Sequence, residues 1–253
     1  MSLIWNKVWP PLVAVLIFLT AWQLSTSLFN IEDWILPAPS DIAHEASAES
    51  ARLWEHALAT VKLTLGGFAI GTTVGLVIAF VLHRIPFLHS ALYPLLILSQ
   101  NIPTIALAPL LMIWFGFGLL PKFILITLVC FFPVAVAAMD GLRQADRTML
   151  EYMRMIGATK GQIFTKLELP HALPSMFSGI RIAATYSVMG AVIAEWVGSD
   201  KGIGYYMMLQ KASYRTDRMF LSISIIVILS LFMHTAIVLL EKGLVRWSPR
   251  QDR

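Results

Sequence analysis

The chain has 253 residues, of which 57% are hydrophobic and 13% charged, with a formal net charge of +4. Soluble domains average about 25% charged residues, whereas several long stretches of this chain have none, among them 8–31, 63–82, 123–139 and 219–240. Since a bilayer core takes about 20 apolar residues as helix, an ordinary soluble fold is excluded. Basic cytoplasmic loops explain the net charge more simply than nucleic-acid binding does.

The first uncharged stretch fits either a signal peptide or a retained helix. It is longer than the roughly 7–15 residues of a cleavable apolar region, and it holds no A-x-A site. We expect a retained helix at 10–29, within a first unit at 1–59 that also includes an external segment.

Five further spans make this an all-α membrane protein with about six transmembrane helices. The predicted spans are 10–29, 62–82, 90–114, 119–139, 172–197 and 219–240. They define a transmembrane domain at 60–245 with a polar loop at 140–171, followed by a cytoplasmic tail at 246–253.

The second span carries glycines four residues apart, at Gly67, Gly71 and Gly75. Such a stripe lets another helix approach closely. Tight packing inside the bundle is favoured over a moving or solute-lining surface.

The third span lies in a region, 85–121, that holds no Lys, Arg, Asp or Glu but five prolines. We expect one kinked span, because proline at membrane depth is tolerated where neighbouring helices or a cavity satisfy the freed backbone groups. Residues 99–109 are therefore a candidate pathway, with Gln100, Asn101 and Thr104 as its polar members. Hydrogen bonding of the amides to a neighbouring helix is equally compatible with the sequence.

The segment 151–170 is a charged island between two apolar stretches. Met149, Tyr152, Met153 and Ile156 recur at helical spacing. Gly157 fits a left-handed helix end, and Thr159 with Gln162 fits a capping box that starts a second helix. We expect Pro170 to break the chain before the next span. From the residues alone, a docking surface for another protein and a segment resting on the membrane are equally favoured.

Glu195 is the only acid that we place inside a span, where acids are costly and usually functional. An outer gate, a contact with an external protein and a water-satisfied interfacial ion all fit it. The histidines form no ligand cluster, so we expect no metal site. No phosphate-binding Gly-x4-Gly-Lys-Ser/Thr loop occurs.

The basic residues favour a cytoplasmic N-terminus. Under that orientation eleven Lys and Arg lie on the inner segments and seven on the outer ones, in the sense of the positive-inside rule. The loop 140–171 then lies in the cytoplasm.

Glu151-x5-Gly157-x9-Leu167-x-Leu169-Pro170 resembles the EAA loop of ABC importer permeases, and the likeness extends from about residue 60 to 240. Tyr152 and Met153 replace the usual two alanines. The resemblance implies a type I importer permease fold in a bacterial cell membrane and no catalytic residues. It also implies an ATPase subunit that binds ATP and Mg, an extracytoplasmic solute-binding protein and a second permease copy, with a homodimer favoured. The implied ATPase-coupling residues are Glu151, Tyr152, Met153, Met155, Ile156, Gly157, Ala158 and Thr159.

The stretch 100–110 with Ile113-Trp114-Phe115-Gly116, and Leu36-Pro37-x-Pro39-Ser40, resemble the branch that imports nitrate, sulfonates and taurine and includes permeases for thiamine-precursor pyrimidines and riboflavin. Within it, Asn101-Ile102-Pro103 and Cys130-Phe131-Phe132-Pro133 are similar to the pyrimidine members. The resemblance favours a pyrimidine or riboflavin, with a sulfonate, taurine or nitrate next. Two other classes stay open: an intramembrane enzyme using Glu195 with His234 or His83, and an ion-coupled secondary carrier.

Overall fold

The computed structural model describes residues 2–245, and the side chains of residues 9–245. The predicted cytoplasmic tail at 246–253 lies outside the described residues. Across the described range the chain forms helices and no strands. They are α1 (Ser2–Leu28), α2 (Pro39–Ala48), α3 (Ser50–Arg84), α4 (Pro86–Ser99), α5 (Thr104–Phe115), α6 (Leu119–Arg143), α7 (Arg147–Met155), α8 (Lys160–Ile163), a π-helical segment (Phe164–Glu168), α9 (Leu169–Gly198), α10 (Ile203–Ala212) and α11 (Thr216–Leu244).

Five of these helical stretches are long and apolar enough to cross a membrane, and α4 with α5 makes a sixth span if the pair is counted as one. The predicted number of spans and the all-α class are confirmed. The expected division at 59/60 falls inside α3, which runs without a break from Ser50.

The third span is broken, where a single kinked helix was expected. The axes of α4 and α5 differ by 101° across residues 100–103. At the end of α4 the amides bond to the carbonyl oxygen three residues earlier, as Asn101 N does to Leu98 O at 3.1 Å. Pro103 follows in an extended conformation and has no amide hydrogen to continue the ladder. Pro94 and Pro109 lie inside their helices, so the break occurs at only one of the prolines of this region.

The core is built by α3, α6 and α9, which pack against one another along their lengths. At one end it contains Leu82, Met139 and Met176. Ile126, Cys130 and Ala183 pack at its middle. Helix α11 covers the other side of α9, where Met233 and Ile237 meet Val188. Each long uncharged stretch therefore forms a helix that buries one face in the bundle. Its other face is also apolar, which is compatible with contact to the lipid of a bilayer.

The glycine stripe of α3 is a packing surface, as predicted. A Cβ added at Gly67 would lie 2.5 Å from Ile126, and one at Gly71 2.6 Å from Cβ of Cys130. At Gly75 it would lie 2.6 Å from the carbonyl oxygen of Phe131. The stripe therefore sets how closely α3 approaches α6.

Two short helices outside the spans, α2 and α10, were not predicted. Helix α2 is held to the start of α11 by ion pairs of Glu45 with Arg215 at 2.9 Å and with Arg218 at 2.8 Å. Helix α1 lies at the edge of the bundle, where Trp22 contacts Phe220. Most of its other described side chains are exposed.

Candidate coupling segment and solute pathway

The coupling segment begins with α7, which is capped at both ends. The Asp146 carboxylate accepts from the amides of Thr148 and Met149 at 2.8 and 3.2 Å. At the other end Gly157 has φ of +80°. Ala158 N donates to Met153 O, and Gly157 N to Arg154 O. This pair of bonds is the Schellman pattern, so the predicted left-handed turn at Gly157 is confirmed.

The second short helix, α8, begins at the predicted capping box. Thr159 N donates to Oε1 of Gln162 at 2.8 Å, and Gln162 N to Oγ1 of Thr159 at 3.3 Å. The expected chain break at Pro170 is wrong. The chain instead runs helically from Lys160 to Gly198 through the π-helical segment. Pro170 lacks an amide hydrogen, and the π-helical turn just before it accommodates it within the continuous helix.

The apolar side of this segment is open. Met149, Tyr152, Met155 and Ile156 are between 47% and 78% exposed. Glu151 is exposed too and forms no ion pair with the side chains that the structure describes. A methionine-rich surface of this kind suits an adaptable protein contact, and Gly157, with no atom near its absent Cβ, leaves the turn unobstructed.

The candidate pathway residues lie at the break between α4 and α5. Gln100 and Asn101 are exposed, and Thr104, the first residue of α5, is half-buried. The Asn101 amide reaches Leu98 O at 3.4 Å and Ile97 O at 3.5 Å. It thus bonds within its own helix end and not to a neighbouring helix, and the polar groups of the bend face outward from the chain.

Glu195 lies in a buried network near the C-terminal end of α9. Its side chain is 2% exposed. Its Oε1 accepts from Thr60 Oγ1 at 2.8 Å, and its Oε2 from Gly204 N at 2.8 Å. The Thr60 hydroxyl also accepts from Ile203 N, and His56 Nδ1 accepts from Gly202 N at 3.1 Å. The pathway role of Glu195 stays a prediction, whereas these contacts make it a cap for α10.

The histidines considered for an intramembrane enzyme are separated from Glu195. His83 pairs with Glu168 at 3.0 Å and lies 23 residues beyond Thr60 on α3, about 34 Å along the helix. His234 is exposed on α11, and Arg181 pairs with Glu241 at 3.5 Å. The structure therefore does not bring Glu195 together with His83 or His234, the pairs on which the enzyme hypothesis depends. Among the described residues no group of His, Cys, Asp and Glu could hold a metal ion.

Residues 71–246 match the family of binding-protein-dependent transport system inner membrane components. The chain belongs to this family. The permease is 35% identical over 227 residues to a probable ABC transporter permease of Haemophilus influenzae, covering 90% of this chain and 93% of the relative. It is 33% identical to a formylaminopyrimidine transport permease of Halalkalibacterium halodurans, with 95% and 96% covered. Identity is also 33% to a riboflavin transport system permease of Chloroflexus aurantiacus, with 94% and 91% covered.

The fold of the permease matches solved transporters as well. An inward-facing methionine ABC transporter aligns with a TM-score of 0.63 at 22% identity, covering 73% of this chain and 92% of that one. The permease therefore has the type I importer fold. It is the membrane subunit of an ABC importer and not itself an enzyme. Its family works with an ABC ATPase and a solute-binding protein.

Proposed function

We propose that this permease imports an uncharged nitrogen heterocycle, of the class of a thiamine-precursor pyrimidine or riboflavin. The observation that carries the proposal is the bend at residues 100–103. It presents the amides of Gln100 and Asn101 in a region, 85–121, that has no Lys, Arg, Asp or Glu. An amide both donates and accepts, as the ring nitrogens and carbonyl groups of such heterocycles do, whereas a sulfonate or nitrate would call for cationic partners.

Sequence similarity supports the same class. The formylaminopyrimidine and riboflavin permeases align over more than nine-tenths of their own lengths. Both named solutes are heterocycles without a fixed charge. Taurine, sulfonates and nitrate are the runner-up solutes.

Residues 151–159 are proposed to dock on the ATPase, which binds ATP and Mg. The exposed apolar side of α7 and the rigid turn at Gly157 support this role. When the ATPases close on ATP, the two short helices carry the motion through the π-helical segment into α9, which is continuous with α8. The proposal requires the N-terminus and the segment 140–171 to lie in the cytoplasm, the orientation that the excess of basic residues on the inner segments favours.

A homodimer is proposed for the membrane part. In a single chain Gln100 and Asn101 are exposed, and so are Ile105, Ile113 and Trp114 on α5. Polar groups at membrane depth need a water-filled cavity or a protein partner. A second copy facing this side would enclose the bend and complete a pathway between the two chains.

The test is uptake by proteoliposomes that hold the permease with its own ATPase and binding protein. Labelled formylaminopyrimidine, riboflavin and taurine are supplied separately with and without ATP inside. We expect ATP-dependent uptake of one of the heterocycles and none of taurine. Uptake of taurine alone would contradict the proposed solute.

The same vesicles test the coupling segment with Gly157→Asp. A non-glycine residue at φ of +80° costs about 1–3 kcal/mol, and the new charge faces the docking partner, so uptake should fall roughly tenfold or more while the protein still inserts. Gly161→Ala is the matched control, because Gly161 has an ordinary φ and open space around its Cβ position. Normal uptake by the Gly157→Asp variant would show that this turn does not couple the permease to the ATPase.

A further inference from the structure

A cavity of about 150 Å³ lies where α3 ends, α4 begins and α6 ends. It is at the end of the bundle that also carries α7 and α8, away from the bend and from the exposed side of α7. Its lining has three side chains able to carry positive charge and no acid. The lining residues are Leu82, His83, Pro86, His89, Ser90, Met139 and Arg143.

The hydrogen-bond pattern of the cavity leaves a donor without an acceptor. Arg143 Nη2 lies 3.0 Å from His89 Nδ1. A guanidinium can only donate, so Nδ1 must accept, and the ring proton of neutral His89 is then on Nε2. That nitrogen is buried and has no hydrogen-bond partner among the described groups. Buried donors are costly when unpaired, so an acceptor is missing at this place.

The arrangement of the two donors is fixed by an aromatic ring. His89 stacks on Tyr93 with ring centroids 4.8 Å apart, and the Arg143 guanidinium lies 6.0 Å from the same ring. No carboxylate of the described residues is within 4.0 Å of Arg143. The nearby acid Glu168 is paired with His83. At the mouth of the cavity, an exposed guanidinium without a carboxylate partner thus lies next to an unpaired buried donor.

We propose that this cavity binds a phosphate group, which accepts hydrogen bonds from the Arg143 guanidinium and from Nε2–H of His89. The forked donors of arginine match phosphate oxygens in geometry and charge. This site does not depend on the proposed solute or on the coupling segment.

The position of the cavity favours a phospholipid headgroup as the source of the phosphate. The uncharged stretch 63–82 of α3 has about the 20 residues that span the hydrocarbon core, so the last turn of α3, with His83 and Arg84, lies at headgroup level. An apolar groove of about 480 Å³ shares His83 with the cavity and is lined by Phe80, Val81, Ile85 and Phe164. An acyl chain attached to the bound phosphate can lie in this groove, whereas inorganic phosphate has no apolar part that would occupy it.

Two arms separate these sources in the purified full-length permease. In the first, native mass spectrometry counts phosphatidylglycerol retained from nanodiscs that mix it with phosphatidylcholine. In the second, inorganic phosphate is titrated by calorimetry into the permease in nanodiscs of phosphatidylcholine alone. The variants are Arg143→Gln and His89→Phe, the second of which keeps a ring to stack on Tyr93. Arg147→Gln is the control, because it removes one exposed positive charge at the same end of the bundle, outside the cavity lining.

We expect the wild type and Arg147→Gln to retain phosphatidylglycerol, and both cavity variants to retain about tenfold less or none, since each loses a charge-assisted or buried hydrogen bond. Phosphate binding in the second arm that is lost in the cavity variants would support the site and assign it to the free anion. Absence of binding in both arms for the wild type, or equal retention by all variants, would overturn the proposal.

Discussion

The carboxylate of Glu195 caps a helix that begins eight residues later in the chain. It accepts from Gly204 N, while Thr60 and His56 of α3 accept from the amides of Ile203 and Gly202. The first amides of a helix have no partner within it, and here they are satisfied by side chains from two spans. Helix α10 is thereby fixed to the end of α3 and α9.

Replacing Glu195 by alanine should destabilise the permease. The change leaves Gly204 N without an acceptor in a buried site, and the Thr60 hydroxyl keeps only its 3.3 Å bond to His56 O. At about 1–3 kcal/mol for an unsatisfied buried group, we expect a loss of roughly 1–3 kcal/mol. Thermal unfolding of the detergent-purified protein measures it.

Glu55→Ala is the matched control for that change. Glu55 lies near the same end of α3 and pairs with Lys201 at 2.7 Å, but its side chain is 62% exposed. Exposed ion pairs contribute little, so the transition temperature should stay close to that of the wild type. If the two variants unfold at the same temperature, the capping bonds of Glu195 add nothing to stability.

Single residues show which contacts can be predicted from the sequence and which cannot. Gly157 and the pair Thr159 and Gln162 act through neighbours within a few positions, so their turn and capping box were predictable from spacing. The partners of Glu195 come from 135 positions earlier and nine later. No local sequence pattern specifies such a distant contact. The sequence therefore singled out Glu195 but did not reveal that it caps α10.

Among the elements, the packing of α3 on α6 depends on the absence of side chains at three positions. The glycine stripe brings the α3 backbone next to the α6 backbone, most closely at Gly75. A spacing of four residues is visible in the sequence, which is why close packing of this helix face was predicted, although its partner α6 was not. The π-helical segment at 164–168 was not predicted, because it is required only by the continuation of α8 into α9.

Gly75→Ala should force the two helices apart. The new Cβ would stand 2.6 Å from the carbonyl oxygen of Phe131 and 2.9 Å from Cβ of Val134, and a backbone oxygen cannot move aside alone. Overpacking of this kind costs about 1–3 kcal/mol. The midpoint of unfolding in sodium dodecyl sulfate should fall accordingly.

Gly190→Ala provides the comparison within the same bundle. A Cβ at Gly190 on α9 would lie 3.5 Å from the nearest atom of Ile126, an ordinary contact. Alanine also favours helix over glycine, so this variant should be as stable as the wild type or slightly more so. Equal stability of Gly75→Ala and Gly190→Ala would show that α3 and α6 can separate freely.

For the whole molecule, the direction of every later span depends on whether α4 and α5 together cross the membrane. They have 14 and 12 residues and are bent by 101°. Helix α4 starts one residue after α3 ends. Helix α5 packs through Ala108 and Leu111 on Leu125, near the start of α6. The pair therefore links the opposite ends of α3 and α6, as one broken span does. The sequence predicted this span, but five prolines in one region could not show which of them breaks it.

Single-cysteine variants can test this topology, because Cys130, the only native cysteine, is 0% exposed. Ser47 on α2 and Gln144 after α6 are both exposed. Three crossings separate them if the bent pair spans the membrane, and two if it returns to its own side. In right-side-out spheroplasts a membrane-impermeant maleimide should label Ser47→Cys directly and Gln144→Cys only after permeabilisation. Labelling of both from the same side would mean that the pair is re-entrant. Labelling of Gln144→Cys alone would reverse the proposed orientation and place residues 140–171 outside the cytoplasm, where no ATPase could dock.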